Sequence, residues 1–510
     1  MAPVIVSLAM EAAFEGSANY AGGLGVLEAD KFYAAGRLGL PYVLIVPFYP
    51  YGYVDYNVAD GPRLVEVRHR HSPYFLSRLR HAGSLEVRGA RGRLVAEVEL
   101  FEYRSGSARA ILYMVRRPRR QASLFKYLYR HQADECTYYI TASAVAARIA
   151  SKIAGEGSVI DVQEAHLALA LYMLPRGVRK RFITHTPGPW GHPRLCRSEA
   201  EEMLGLSLPD VKTATEAAME EASEVYAVSR KHAEITKKLF PRYASRIKYI
   251  TNAIDLERWM RVKAGIQNPR ELWSEHLRLR EELESIIAGL TGKKVGDRMI
   301  VAWTRRIVKY KRPYFVEKLV EERDLRDRIF IVVAGKPHIR DEWGKEMAVR
   351  LAKLSREVDN IAFHPSYDID IAKYMITGSD LLLFTPFPGW EASGTSQMKA
   401  GVNGVPVLSS RDGASLEIIE DNVNGWFFGS HIEEFIDIDR DERAPRIDEE
   451  DYKDMVRRLT QILDLYETTR RGGEDYMNVA YNAYKTITPK ADIRRLLKEY
   501  YPEFLTSPLP

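Results

Sequence analysis

Twelve short apolar-rich runs constrain this chain more than any other feature, because most of them are continuous instead of alternating in hydrophobicity. They fall at 4–8, 42–49, 159–162, 182–184, 225–228, 247–251, 299–303, 329–334, 361–364, 381–384, 405–408 and 426–428. A strand that is apolar on both faces must be covered on both, which is the condition of a strand inside a parallel sheet. Helical patterns separate the runs, so the chain reads as α/β with two doubly wound, Rossmann-like domains. Its 510 residues also exceed what one hydrophobic core accommodates. The expected domains are 1–245 and 246–485, with a helix in 486–510 returning to the first; the hinge is expected at 240–252, where one helical pattern ends.

The stretch 63–120 departs from this rhythm. Leu85 to Arg88 and Leu94 to Leu100 alternate apolar and charged residues, the pattern of half-solvated antiparallel strands, and 110–114 continues it. A small β insertion in the first domain is expected there, and its many arginines read as a solvated face because acids are interleaved with them.

Composition excludes several classes. The net charge of +5 comes from 74 basic and 69 acidic residues, a near balance that gives no argument for nucleic acid. No apolar run approaches the roughly 18 residues needed to cross a membrane. The first strand-like run begins at Val4, so no signal peptide is expected and a cytoplasmic protein follows. Cys136 and Cys196 are too few for a disulfide-rich scaffold or a cysteine-ligated metal cluster. Abundant Arg and Glu with few Cys point to a thermophile.

Four segments carry candidate chemistry. Glu391-Ala392-Ser393-Gly394-Thr395-Ser396-Gln397-Met398-Lys399 follows the run 381–384 as a loop of small residues and hydroxyls that opens a helix. Such loops present backbone N–H groups that suit phosphate or a sugar hydroxyl. Lys399 is then either a surface cation or a cofactor attachment point. Asn19 to Asp30 is a glycine-rich strand-to-helix turn that also reads as a tight turn without a ligand; it is neither a dinucleotide fingerprint nor a P-loop. His166 and His185 fall at carboxyl ends of predicted strands and suggest one polar cleft, and without a third ligand of fitting spacing no metal is expected. Trp303 to Pro313 gathers Arg305, Arg306, Lys309, Lys311 and Arg312 at one strand end, more cations than a solvated face needs, and reads as an anion site.

In this order the segments resemble the α-glucan phosphorylases (glycogen, starch and maltodextrin phosphorylase) in a compact short form. The resemblance rests on 10–53, on THTPGPWGH from Thr184, YITNAIDLERW from Tyr249 and RRIVKYKRP from Arg305. AGKPHIRDEWGKE from Ala334 and the highly specific EASGTSQMKAGVNG from Glu391 complete it. It implies the GT-B glycosyltransferase architecture, with the two domains facing a cleft. It also implies pyridoxal 5'-phosphate as cofactor, attached at Lys399, its phosphate held by Thr395, Arg305 and the Gly22-Gly23 turn. Arg306 and Lys311 match the pair that holds the substrate phosphate. Glu391, Ser393 and Gly394 match contacts to the glucosyl hydroxyls, as do His185 and Asn252 for its 6-hydroxyl and Tyr310 for its 2-hydroxyl; Leu24 and His166 join the substrate contacts. Arg306, Lys311, His185 and Glu391 form the implied catalytic set.

The implied reaction is reversible phosphorolysis of a terminal α-1,4 glucosyl unit of glycogen or maltodextrin by inorganic phosphate, giving glucose 1-phosphate with retention. Retention usually calls for two close carboxylates; here the substrate phosphate serves as the acid and the cofactor ring as an anchor. Val308 stands where long phosphorylases have a histidine and Ala253 where they have a glycine, and the chain is shorter than the short family members, which leaves the preferred glucan length open. Nothing in the sequence sets regulation or the oligomeric state, a homodimer among the options. The competing reading is a glycogen- or starch-synthase-like transferase with a nucleotide-glucose donor, which has no need of a lysine at 399; a third is a degenerate relative that only binds glucan.

Overall fold

A computed structural model describes residues 2–59, 63–130 and 134–505. The chain divides into two units: Met1–Tyr53 with Arg68–Asp255 and Leu496–Pro510, and Val54–Val67 with Leu256–Arg495. In chain order the strands are β1 (Ile5–Leu8), β2 (Tyr42–Pro47), β3 (Val54–Ala59), β4 (Arg63–Arg68), β5 (Arg80–Arg88), β6 (Leu94–Ser105), β7 (Ala108–Arg117), β8 (Val159–Gln163) and β9 (Arg179–Ile183). β10 (Glu224–Ala227), β11 (Ile247–Tyr249), β12 (Met299–Thr304), β13 (Ile329–Ala334), β14 (Ile361–His364), β15 (Leu381–Phe384), β16 (Val407–Ser410) and β17 (Trp426–Phe428) follow. Each of the twelve apolar-rich runs forms one of these strands.

The first unit holds a nine-stranded sheet in the order β11-β10-β9-β8-β1-β2-β7-β6-β5. It is parallel from β11 through β7; β6 and β5 then run antiparallel. The second unit holds six parallel strands in the order β14-β13-β12-β15-β16-β17. Fully buried residues such as Val301, Trp303, Ile331, Val333 and Leu383 fill one of its cores. Counted from each sheet's first strand, both orders reverse direction once, between β1 and β8 and between β12 and β15. In open α/β sheets ligands bind outside the carboxyl ends of the strands at this reversal.

The division corrects the expected boundaries in three places. β11 pairs with β10, so 246–255 stay with the first unit. The β3–β4 hairpin joins the second unit: Val58 and Leu64 pack on its core, the Asp55 carboxylate lies 3.4 Å from the buried Lys336, and Arg356 donates to Ala59 O. The rest of the β insertion stays with the first unit, where β7 pairs in parallel with β2 and extends the main sheet. The helix Asp475–Ala491 belongs to the second unit, and only from Leu496 does the chain return to the first; 506–510 lie outside the described residues. The arginines of 78–120 are largely exposed and several pair with neighbouring acids, such as Arg88 with Glu86 and Arg116 with Glu99.

Buried charges lock the return. Arg181 forks onto Asp161 at 2.6 and 2.9 Å and donates to Tyr500 O at 2.7 Å, while the Tyr501 hydroxyl donates to Asp161 Oδ2 at 2.5 Å. Cys136 and Cys196 form a disulfide across 60 residues of sequence. Closing a loop of that length removes chain entropy from the unfolded state worth about 4 kcal/mol. Cys196→Ser should lower the urea-unfolding free energy of the first unit by about this amount, and a variant as stable as the unreduced parent would show the two sulfurs unbonded in solution.

Candidate functional site

In the second unit the residues singled out from sequence collect at the β12/β15 reversal. Arg305 and Arg306 directly follow β12, and Thr385 to Lys399 follows β15. A lattice of buried bonds ties the two loops together. Arg312 is fully buried; its guanidinium donates to Thr385 O at 2.7 Å and Pro386 O at 2.9 Å and pairs with Asp451 at 2.8 Å. Trp303 Nε1 donates to Thr385 Oγ1, which donates in turn to Lys311 O, and Phe387 N donates to Tyr310 O. Arg312 also takes a positive φ of 53°, the left-handed turn that ends the short 3-10 helix Lys309–Lys311.

Inside this frame Arg305 Nη2 donates to Glu391 Oε2 at 2.7 Å, and Lys311 Nζ lies 3.4 Å from the same oxygen. The Arg305 guanidinium stands 4.0 Å over the Phe384 ring. Its Nε and Nη1 are buried with no hydrogen-bond partner among the described residues. A Cβ on Gly394 would meet Phe384 at 2.7 Å and Glu391 Oε1 at 3.0 Å, so only glycine lets these groups close on each other. Burial, and then the Arg305 charge, lower the Lys311 ammonium to about 7. Burial raises the Glu391 carboxyl, but Lys311 and Arg305 outweigh it and hold it below its ordinary value. Tyr310 stacks on Trp390 with ring centroids 5.6 Å apart, and burial raises its phenol. Ser393 is buried while Thr395 sits half-buried ahead of the helix Ser396–Gly401. Lys399 lies on that helix, 7% exposed, its Nζ 3.7 Å from the centre of the Trp259 ring.

The first unit brings its own group to the β1/β8 reversal. The glycine turn follows β1, and its geometry centres on Glu11, whose Oε2 accepts the N–H of Ala21 at 2.5 Å and of Gly22 at 3.1 Å. Gly22 thus spends its N–H on a carboxylate, leaving Gly23 and Leu24 in the first turn of the helix Gly23–Arg37, where N–H groups have no intrahelical acceptor. A Cβ on Gly22 or Gly23 would meet nothing within 4 Å, so the turn faces open space. Glu164, at a φ of 70° after β8, accepts from its own following N–H at Ala165 and from His185 N at 3.0 Å. Burial raises its carboxyl to about 7. His185 lies two residues beyond β9 with its ring on Gln163. Asn252 is buried beyond β11, its N–H on Val228 O. His166 instead packs its ring against Tyr139 and Tyr129, at centroid distances of 4.8 and 6.0 Å.

Sequence reading passed over several residues on which these groups depend. Glu11, Glu164 and Trp259 lie inside the motifs and were visible there, and Asp412 carries no local signal; Arg312, counted among the anion-site cations, instead spends its guanidinium on Thr385 O, Pro386 O and Asp451. Asp412 accepts the Glu391 N–H at 2.8 Å, and burial raises its carboxyl to about 7. Among the described residues no group of His, Cys, Asp or Glu is arranged to hold a metal ion, and no helix is long and apolar enough to cross a membrane.

Comparison with known proteins adds kinship. Residues 349–501 match the carbohydrate phosphorylase family. The chain is 25% identical to the maltodextrin phosphorylase of Thermococcus litoralis, over 96% of this chain and 69% of that protein. It is 29% identical to the glycogen phosphorylase of Aquifex aeolicus over 56% of this chain and 48% of that one, so it spans about half that relative's length. Among solved structures, the catalytic domain of starch synthase IV from Arabidopsis thaliana bound to ADP and acarbose superposes with a TM-score of 0.74. It covers 99% of this chain and all of that one at 16% identity, a likeness that shows the fold to be of the GT-B glycosyltransferase type.

An ammonium that loses its proton near pH 7 makes anion affinity fall as pH rises. Sulfate, whose charge is constant in this range, should bind about tenfold more weakly at pH 8 than at pH 6 by calorimetry. Asp412 ionises in the same range with the same sign, so Lys311→Met should remove most of the slope, not all of it. A flat wild-type profile would contradict the depressed Lys311.

Proposed function

We propose that this chain, which is similar to α-glucan phosphorylases over the matches above, catalyses reversible, retaining phosphorolysis of terminal α-1,4-linked glucose from glycogen or maltodextrin, releasing glucose 1-phosphate. The observation that carries the reading is the buried Arg305–Glu391–Lys311 group, with two Arg305 donor nitrogens lacking an acceptor among the described residues. Arginine forks and a lysine point charge in a dry site are the donors that hold phosphate.

The residues present also fit pyridoxal phosphate. Lys399 is a buried amine against an aromatic face, and the orphaned Arg305 donors suit a phosphate group; with Thr395 they would hold it. When bound, the cofactor supplies a second phosphate as a proton source beside the substrate phosphate. Arg306 and Lys311 then bind and orient inorganic phosphate. A half-neutral Lys311 regains its proton as the anion arrives, since an opposite charge favours the ammonium. Glu391 keeps the cations apart and accepts a sugar hydroxyl through its second oxygen, which the Asp412 grip on its backbone holds in place. Each unit carries its own assigned contacts to glucosyl hydroxyls: Tyr310, Ser393 and Gly394 in the second, and Asn252, Leu24, His166 and His185 in the first. The positive field around the anion stabilises the charge that develops as the glycosidic bond breaks.

Purified protein given maltodextrin and phosphate should release glucose 1-phosphate, and borohydride should fix its near-ultraviolet chromophore onto the Lys399 peptide. Lys311→Ala should cut turnover by about 10²–10³-fold with cofactor content near normal. A colourless protein that transfers glucose from a nucleotide sugar would overturn the reading.

A further inference from the structure

A line of hydrogen bonds runs through the first unit's sheet and ends on His185. The ring Nε2 lies 2.8 Å from Gln163 Oε1 at the end of the neighbouring strand β8. Gln163 Nε2 donates to Ser7 Oγ in β1 at 3.0 Å, and Ser7 donates to Glu28 Oε2 at 2.7 Å in the helix Gly23–Arg37. The other Glu28 oxygen stands 2.5 Å from Lys31 Nζ. Ser7, Gln163 and Glu28 are fully buried and Lys31 is 2% exposed, so water does not enter the count.

Each link admits one direction. An ammonium has donors and no lone pair, and a carboxylate beside it only accepts. Ser7 has a single proton and Glu28 takes it, so the Ser7 oxygen must accept from Gln163. That turns the Gln163 amide with its NH₂ toward Ser7 and its carbonyl oxygen toward His185. A carbonyl has no proton to give, so the hydrogen between them sits on Nε2. Burial, and after it the Lys31 and His232 charges, keep the imidazole well below its usual range, so the ring carries one proton. Nδ1 is left as a lone pair on a half-buried side chain at the strand end.

We propose that Glu28, Ser7 and Gln163 are positioning residues that lock His185 in its Nε2–H tautomer, so that Nδ1 accepts a hydrogen bond from a sugar hydroxyl. The lock follows from the proton count alone; the sugar as donor rests on the phosphorolysis reading above. A site built to receive one hydroxyl proton rejects a substrate that lacks that hydroxyl, because its own buried partner is then stranded. The line therefore sets selectivity at one position of the sugar.

The test begins with the tautomer, which needs no turnover. Full-length protein labelled with [15N]histidine is observed by NMR at pH 7, with His185 identified among the twelve histidines by its loss in His185→Gln. One pyrrole-type Nε2 and one pyridine-type Nδ1 are expected; a proton on Nδ1, or on both nitrogens, overturns the lock. Gln163→Leu should move the ring toward averaged tautomers. Kinetics with glucose 1-phosphate and its monodeoxy analogues supply the second arm. Gln163→Leu should reduce discrimination at a single hydroxyl position by about tenfold. Equal losses at every position would overturn the positioning role. Absence of any turnover beside the expected tautomer would sink the sugar arm together with the phosphorolysis reading, while the lock stands on the spectrum.

Discussion

Gathering cations in a dry pocket is the constraint that shapes the second unit. Each buried ion forfeits several kcal/mol of hydration, and like charges repel more strongly where water is absent. Glu391 offsets part of this by facing both Arg305 and Lys311, and the remainder appears as a lysine willing to give up its proton. Such an arrangement holds only if the loops bearing the charges cannot move apart. Arg312 meets that need from outside the pocket, bonding two carbonyls of one loop while belonging to the other.

The parallel-sheet fold was legible because strands buried on both faces cannot hide their apolar character; all twelve runs became strands. The antiparallel stretch was recognised by its alternation and placed in the first domain, but the strand it attaches to was not legible. Whether β7 closes a separate meander or extends the main sheet depends on β2, some sixty residues earlier, and no local pattern records that pairing. The β3–β4 hairpin deceived for a related reason: residues that dock on a distant Lys336 look locally like part of what precedes them. The reach of β11 beyond the expected hinge is the same effect at a sheet edge.

The candidate site divides in a similar way. Charged and glycine-rich motifs announced Arg305, Arg306, Lys311, Glu391 and the 22–25 turn. What stayed hidden is the bonding among them. Glycine richness does not reveal that Glu11 claims the Gly22 N–H, and a histidine at a strand end does not say which nitrogen it offers. The 60-residue disulfide span could not be read either, since two cysteines alone carry no pairing geometry. Both units place their chemistry where the strand order reverses, a topological property that emerges only once pairing is known.

The first unit is closed by residues that the ribosome makes after the second unit. Its Asp161–Arg181 pair is sealed by Tyr500 and Tyr501, which emerge only after the whole of the second unit. During synthesis the nascent first unit therefore waits with an ion pair uncovered and an apolar face unfilled, while the second unit, apart from its early hairpin, completes itself in one uninterrupted stretch. Order of translation and order of completion are reversed in this chain. A ribosome stalled before Leu496 would leave the earlier-made half as the unfinished one.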